Sequence, residues 1–148
     1  MHPGVRKLLK TKKRALDELY KQSETGEIPV GRTQGWAVVF PGTFLAPIIA
    51  AFARCFLWQG KVFDPETAIL RNKITPFRIK AIKAKVYRDK SWLDGEETIA
   101  IDYSKTSIVA RMVHDEIREV EPRIYLGKVY LWKWKTVDFV LVWQSATK

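Results

Sequence analysis

The sequence predicts a mainly β, antiparallel fold in which seven or eight short strands form a sandwich or a barrel. Three observations carry this. From Leu57 onward, short apolar stretches are cut by turn residues at close intervals. One stretch, FRIKAIKAKVYR (77–88), alternates apolar and cationic side chains at period two. The last two, RIYLGKVYLWKWK and VDFVLVWQ, are rich in aromatic and β-branched residues.

Taken in order, the chain opens with a helix. Val5, Leu8, Leu9, Leu16, Leu19 and Tyr20 recur at three- and four-residue steps over 5–22, with cations between them. Gly26 and Pro29 supply stop chemistry, so residues 1–24 are expected to be a basic N-terminal helix and residues 25–148 one domain. TGEIPVGRTQG (25–35) reads as a loop and WAVVF as a short buried strand. FLAPIIAAFARCFL is apolar on nearly every side and reads as a short buried helix over about 44–56. WQGKVFD and AILRNKI are strands. In FRIKAIKAKVYR the alternation slips by one at Ala81–Ile82, as a β-bulge requires. KSWLDGEET is a turn centred on Asp94–Gly95, and TIAIDYS is the next strand. RIYLGKVYLWKWK and VDFVLVWQ are joined near Lys135–Thr136, and in WKWK the aromatics are expected to face in and the lysines water.

One stretch is ambiguous. In VARMVHDEIREVEPRIYLG (109–127), Val109, Val113, Ile117 and Val120 have helical spacing, which slightly favours a helix. Read as a strand, His114, Glu116 and Arg118 share one face, and Asp115, Ile117 and Glu119 the other.

Charge and composition limit the function. The chain of 148 residues carries a net charge of +10 and one cysteine, Cys55. No internal disulfide is possible, which suits a reducing compartment. With no signal-peptide pattern and no apolar run long enough to span a bilayer, a cytoplasmic protein is expected. The charge is polarised: residues 5–21 sum to +5, 71–90 to +7 and 94–121 to −5. The acidic block argues against a general nucleic-acid binder, which keeps its positive charge continuous. The basic residues of 5–21 leave a weak contact with anionic membrane open. With two histidines, a metal site is not expected. Phosphate-binding loops and a serine elbow are absent from the sequence, and no cofactor is expected.

A set of motifs adds a resemblance. GEIPVG (26–31), WQGKVFD (58–64), Asn72, DGEETIAIDYS (94–104), DEIREV (115–120) and YLGKVY (125–130) occur in an order that resembles small bacterial lipocalin-like proteins of unknown function. That family carries a Gly-x-Trp-x-Gly type signature followed by a Trp-x-Gly-Lys-x-Phe segment. The resemblance covers roughly residues 25–131 and leaves out the N-terminal helix; it implies an antiparallel β-barrel of the calycin kind, with DEIREV as a strand, which agrees with the count of about eight strands.

A barrel of that size holds one small ligand, so the expected function is binding of a small hydrophobic or amphipathic molecule of the fatty acid or isoprenoid class. Trp58, Tyr87, Tyr103, Tyr125, Trp132 and Trp143 would form its aromatic wall. Lys61, Asn72, Asp102 and Arg118 would add polar groups. Arg118 is expected to point inward and pair with Asp102 or Glu116. An isomerase, cyclase or lyase would instead use Asp115, Glu116 and Tyr103 as acid–base groups. A peripheral membrane or nucleic-acid binder is a third reading. An exposed strand edge would allow a homodimer.

Overall fold

The structure, a computed structural model, describes residues 2–38, 58–64, 68–74, 79–104 and 112–144, and for 58–62, 64, 70–74, 79–83 and 136 the backbone alone. The expected helix at 44–56, with Cys55, lies outside the described residues. Two helices, α1 (Pro3–Leu9) and α2 (Lys13–Gln22), precede eight antiparallel strands. The strands are β1 (Gly31–Val38), β2 (Trp58–Asp64), β3 (Ile69–Ile74) and β4 (Ile79–Lys90), then β5 (Glu97–Asp102), β6 (Val113–Glu121), β7 (Ile124–Leu131) and β8 (Trp134–Trp143). Each pairs with the next, and β1 pairs with both β2 and β8, so the ring closes. Each strand therefore has a neighbour on both sides.

The single helix expected over 5–22 is two. Between Leu9 and Leu16 the sequence KTKKRA offers no large apolar side chain to hold a turn on the body. The chain breaks there, and the Thr11 hydroxyl and amide donate to Lys7 O and Leu8 O. The expected loop over 25–35 also gives way: β1 begins at Gly31, whose φ of 78° suits glycine.

The bulge in β4 is present. Arg71 of β3 pairs with Lys83 and Asn72 with Ala81, which leaves Ile82 as the extra residue. The β7–β8 turn falls at Trp132–Lys133, ahead of the expected Lys135–Thr136. This overturns the reading of WKWK as well. Trp132 is 61% exposed and Trp134 71%, whereas Lys135 turns in towards Asp17 and Asp138.

Two apolar cores result. Phe63, Ala84, Val86, Ile99, Ile101, Ile117, Tyr125, Phe139 and Leu141 cluster on the inside of the ring. Val5, Leu8, Leu16 and Tyr20 of the helices pack with Val38, Ile124, Leu126 and Val140 on its outer face. The residues between α2 and β1 then cross one end of the ring. Thr25 bonds Glu97 O and receives Glu119 N, Tyr125 donates to Glu27 O at 2.6 Å, and Trp143 donates to Val30 O at 2.8 Å. Ile28 packs onto the inner core from that side.

Gly127 sits under the Phe139 ring, and a Cβ there would overlap it. Gly127→Ala is expected to cost about 1–3 kcal/mol by overpacking. Phe139→Leu in the same chain should recover part of that loss, as read from urea midpoints.

Candidate functional site: a polar pair inside the ring and a charged layer outside it

Residues 113–121 form a strand, and its alternation divides the charged cluster between two buried faces. Ile117 belongs to the inner core. Asp115 shares its face, paired across the sheet with Ile101 of β5 and Val129 of β7. Tyr103, which follows β5, is buried in the same core and donates its hydroxyl to Asp115 Oδ2 at 3.2 Å. Asp115 is 4% exposed. A carboxyl group and a phenol thus meet among the apolar side chains of the inner core, towards the end of the ring opposite the crossing segment 23–30.

His114, Glu116 and Arg118 take the other face, beneath α2. Arg118 pairs across β7 with Leu126, which packs against the helices. Its guanidinium therefore does not enter the ring, and neither Asp102 nor Glu116 is its partner. It forms a fork with Asp94 at 2.6 and 2.7 Å, and bonds Tyr20 O and Glu97 O. The hydrogen bond from Arg118 holds the Asp94 carboxyl below its usual range.

Glu116 is fully buried and its carboxylate is surrounded by donors. Ser91 Oγ and Trp92 N each bind it at 2.7 Å, His114 Nε2 at 3.1 Å and the Tyr20 hydroxyl at 3.2 Å. Burial, followed by the charge of Glu116, pushes the Tyr20 hydroxyl well above its ordinary value. The His114 ring stacks on Trp92 with 3.8 Å between centroids. Next to this group, Lys128 and Asp138 are paired across β7 and β8 and bond at 2.8 Å, both fully buried. Asp17 of α2 joins Lys128 at 2.6 Å and Lys135 at 3.2 Å. Burial drives the Lys128 amine below its ordinary value, although Asp138 and Asp17 oppose this. Burial also acts to raise Asp17, but its two lysines more than offset it and leave the carboxyl lowered.

The sequence-derived candidates separate accordingly. Asp115 and Tyr103 meet inside, but Glu116 lies on the opposite face, so the three expected acid–base groups do not converge. Tyr125 is in the inner core at the crossed end, and Trp143 packs at its edge. Tyr87 and Asp102 bond each other at 2.9 Å on the exposed outer side, where burial and then Asp102 push Tyr87 up to about 12. Trp132 is exposed at a turn. Lys61 and Asn72 are paired across β2 and β3, and Trp58 starts β2, but their side chains lie outside the described residues.

Sequence reasoning missed the outer layer: Asp17, Tyr20, Asp94, Thr98, Lys128 and Asp138. A signal existed. Lys128 and Asp138 are lone charges inside the apolar runs YLGKVYL and TVDFVLV, and such a charge in a buried strand needs a partner.

Among the described residues no group of three or more His, Cys, Asp or Glu is arranged to hold a metal. No helix there is long and apolar enough to cross a membrane.

No family model matches the chain, and no curated protein is significantly similar to it. A solved structure, the crystal structure of a protein from Thermomonospora curvata, is similar in fold. It has a TM-score of 0.66 at 16% identity, over 90% of this chain and 88% of that one.

Arg118→Met would leave Asp94 with a buried partner missing, and is expected to cost about 3–5 kcal/mol in urea denaturation. A change within about 1 kcal/mol would make the pair no better than a surface ion pair. The acid limb should follow. Asp94 has a lowered folded pKa, so its contribution is present above the unfolded value of about 3.9 and is lost as pH falls through the folded value. The stability gap between the wild type and Arg118→Met should therefore narrow as the pH is taken below about 4.

Proposed function

We propose that the chain is a calycin-like barrel that holds one small amphipathic molecule, with the Tyr103–Asp115 pair binding its polar head. The observation that carries this reading is a carboxyl and a phenol placed together among the apolar side chains of the inner core. Apolar walls with a few convergent polar groups are the usual makeup of a small-molecule site. Eight strands enclose about the width of one small ligand. The crossing segment 23–30 covers one end, and the Tyr103–Asp115 pair lies towards the other.

The pair also selects a chemistry. A carboxyl group favours hydrogen-bond donors and cations and opposes another carboxylate. Within the fatty acid and isoprenoid classes, a long-chain alcohol or amine suits the site better than the corresponding acid.

Native mass spectrometry of freshly purified protein is expected to show a retained small molecule. Displacement of a fluorescent apolar probe should rank amine and alcohol above carboxylate at equal chain length. Asp115→Asn should abolish the preference for the amine. A carboxylate that binds best, with no change in Asp115→Asn, would sink the head-group assignment. No displacement by any of the three would sink the binding reading itself.

A further inference from the structure

We propose a second, independent property: the end of the molecule formed by the β7–β8 turn and the α1–α2 corner docks on an anionic phospholipid surface. Two features coincide there. The first is apolar. Trp132 and Trp134 flank Lys133 at the turn and are 61% and 71% exposed. Met112, 39% exposed, accepts the Trp132 amide through its carbonyl at 2.8 Å, so it is their immediate neighbour. Trp132 is held at a φ of 60°, which a non-glycine residue adopts rarely and at a cost. Two indoles projecting from one tight turn are more than scattered surface apolarity.

The second feature is charge. Residues 10–14, KTKKR, hold four cations, and all four are exposed. The packing of α2 brings them to the same end. Asp17 touches Lys135, the residue next to Trp134, while Tyr20 touches Thr98 and Glu116 further along the ring. α2 therefore runs away from the β7–β8 turn, and Lys13, one helical turn before Asp17, lies on the turn's side. Lys133 adds a cation between the two indoles. Of the nearby acids, Asp17 and Asp138 are committed to Lys128 and Lys135, and Glu18 pairs with Lys21.

Exposed indoles beside uncompensated lysines match the bilayer interface. Tryptophan partitions to the headgroup level with its ring part-buried, and each Lys or Arg near an anionic leaflet adds attraction. Single-stranded nucleic acid is the competing polyanion, since indoles also stack on bases. The lipid surface is favoured because the aromatics project from a convex turn, whereas base stacking uses a groove that tracks a backbone.

Vesicle co-sedimentation tests this with the whole chain. The wild type is expected to pellet with vesicles containing phosphatidylserine but not with pure phosphatidylcholine. Raising the salt from about 0.1 M to about 1 M cuts the screening length from about 10 Å to about 3 Å and should release it. Lys12→Gln with Lys13→Gln should weaken binding by about an order of magnitude. Trp132→Ala with Trp134→Ala should weaken it by at least as much. All four residues are exposed, so thermal midpoints should hold. Brominated lipid should quench the tryptophan fluorescence of the wild type and lose most of that effect in Trp132→Phe with Trp134→Phe. Asp115→Asn should bind vesicles as the wild type does, which separates this surface from the barrel interior. The proposal fails if anionic vesicles do not bind, or if removal of the two indoles leaves binding unchanged. It also fails if an oligonucleotide binds at the same salt while vesicles do not.

Discussion

The pair of Lys128 and Asp138 constrains the rest of the molecule. These two residues face each other on neighbouring strands, and both are fully buried on the outside of the ring. Neither tolerates that position bare. Burial lowers the lysine amine, and its carboxylate partners only partly oppose this. The second of these partners comes from α2, where Asp17 reaches Lys128 at 2.6 Å. Tyr20, three residues on and therefore on the same helix face, bonds Thr98 and Glu116. Two contacts one turn apart fix both the rotation and the axial position of α2. Apolar packing through Leu16 supplies area but would tolerate a slide; the ion pairs do not. Buried charges of this kind are better understood as setting a unique arrangement than as adding net stability.

The same layer explains why Arg118 does not point inward to Asp102 or Glu116. Assigning strand faces from charge assumes that one face is wet. β6 has two dry faces: the ring interior on one side and the helices on the other. Charges are therefore distributed by partner and not by exposure. Asp115 goes inside to Tyr103, and Glu116 goes outside to four donors. Arg118 meets Asp94, which lies in the β4–β5 turn some twenty residues away in sequence. That turn was legible from Asp94–Gly95, and Gly95 does adopt a φ of 75°. The role of Asp94 was not, because nothing in the local sequence shows that a turn residue faces a guanidinium.

Where local rules act alone, they were sufficient. The antiparallel, β-rich character and the slip at Ala81–Ile82 follow from alternation and spacing. Where tertiary contacts intervene, they were not. KTKKRA carries helix-forming residues, yet the helix breaks because the body offers nothing for those side chains to cover. WKWK looks like an inward-facing strand, but the turn comes three residues early and inverts it. Lys135 is drawn in by Asp17 and Asp138, and the indoles are left outside.

That inversion makes the two ends of the ring unlike. At one end the segment 23–30 lies across the opening, tied by bonds between side chains and main-chain carbonyls to Tyr125, Trp143 and Glu97, with Ile28 packed on the inner core. The other end carries the Tyr103–Asp115 pair on its inner side and the Trp132–Trp134 turn on its rim. The polar pair and the indoles thus lie towards the same end of the ring. The two sites remain separable, since one is built from inward positions of β5 and β6 and the other from a turn and a helix corner. They share only an orientation, and that orientation is set by the same contact of Asp17 with Lys128 and Lys135 that holds α2 on the ring.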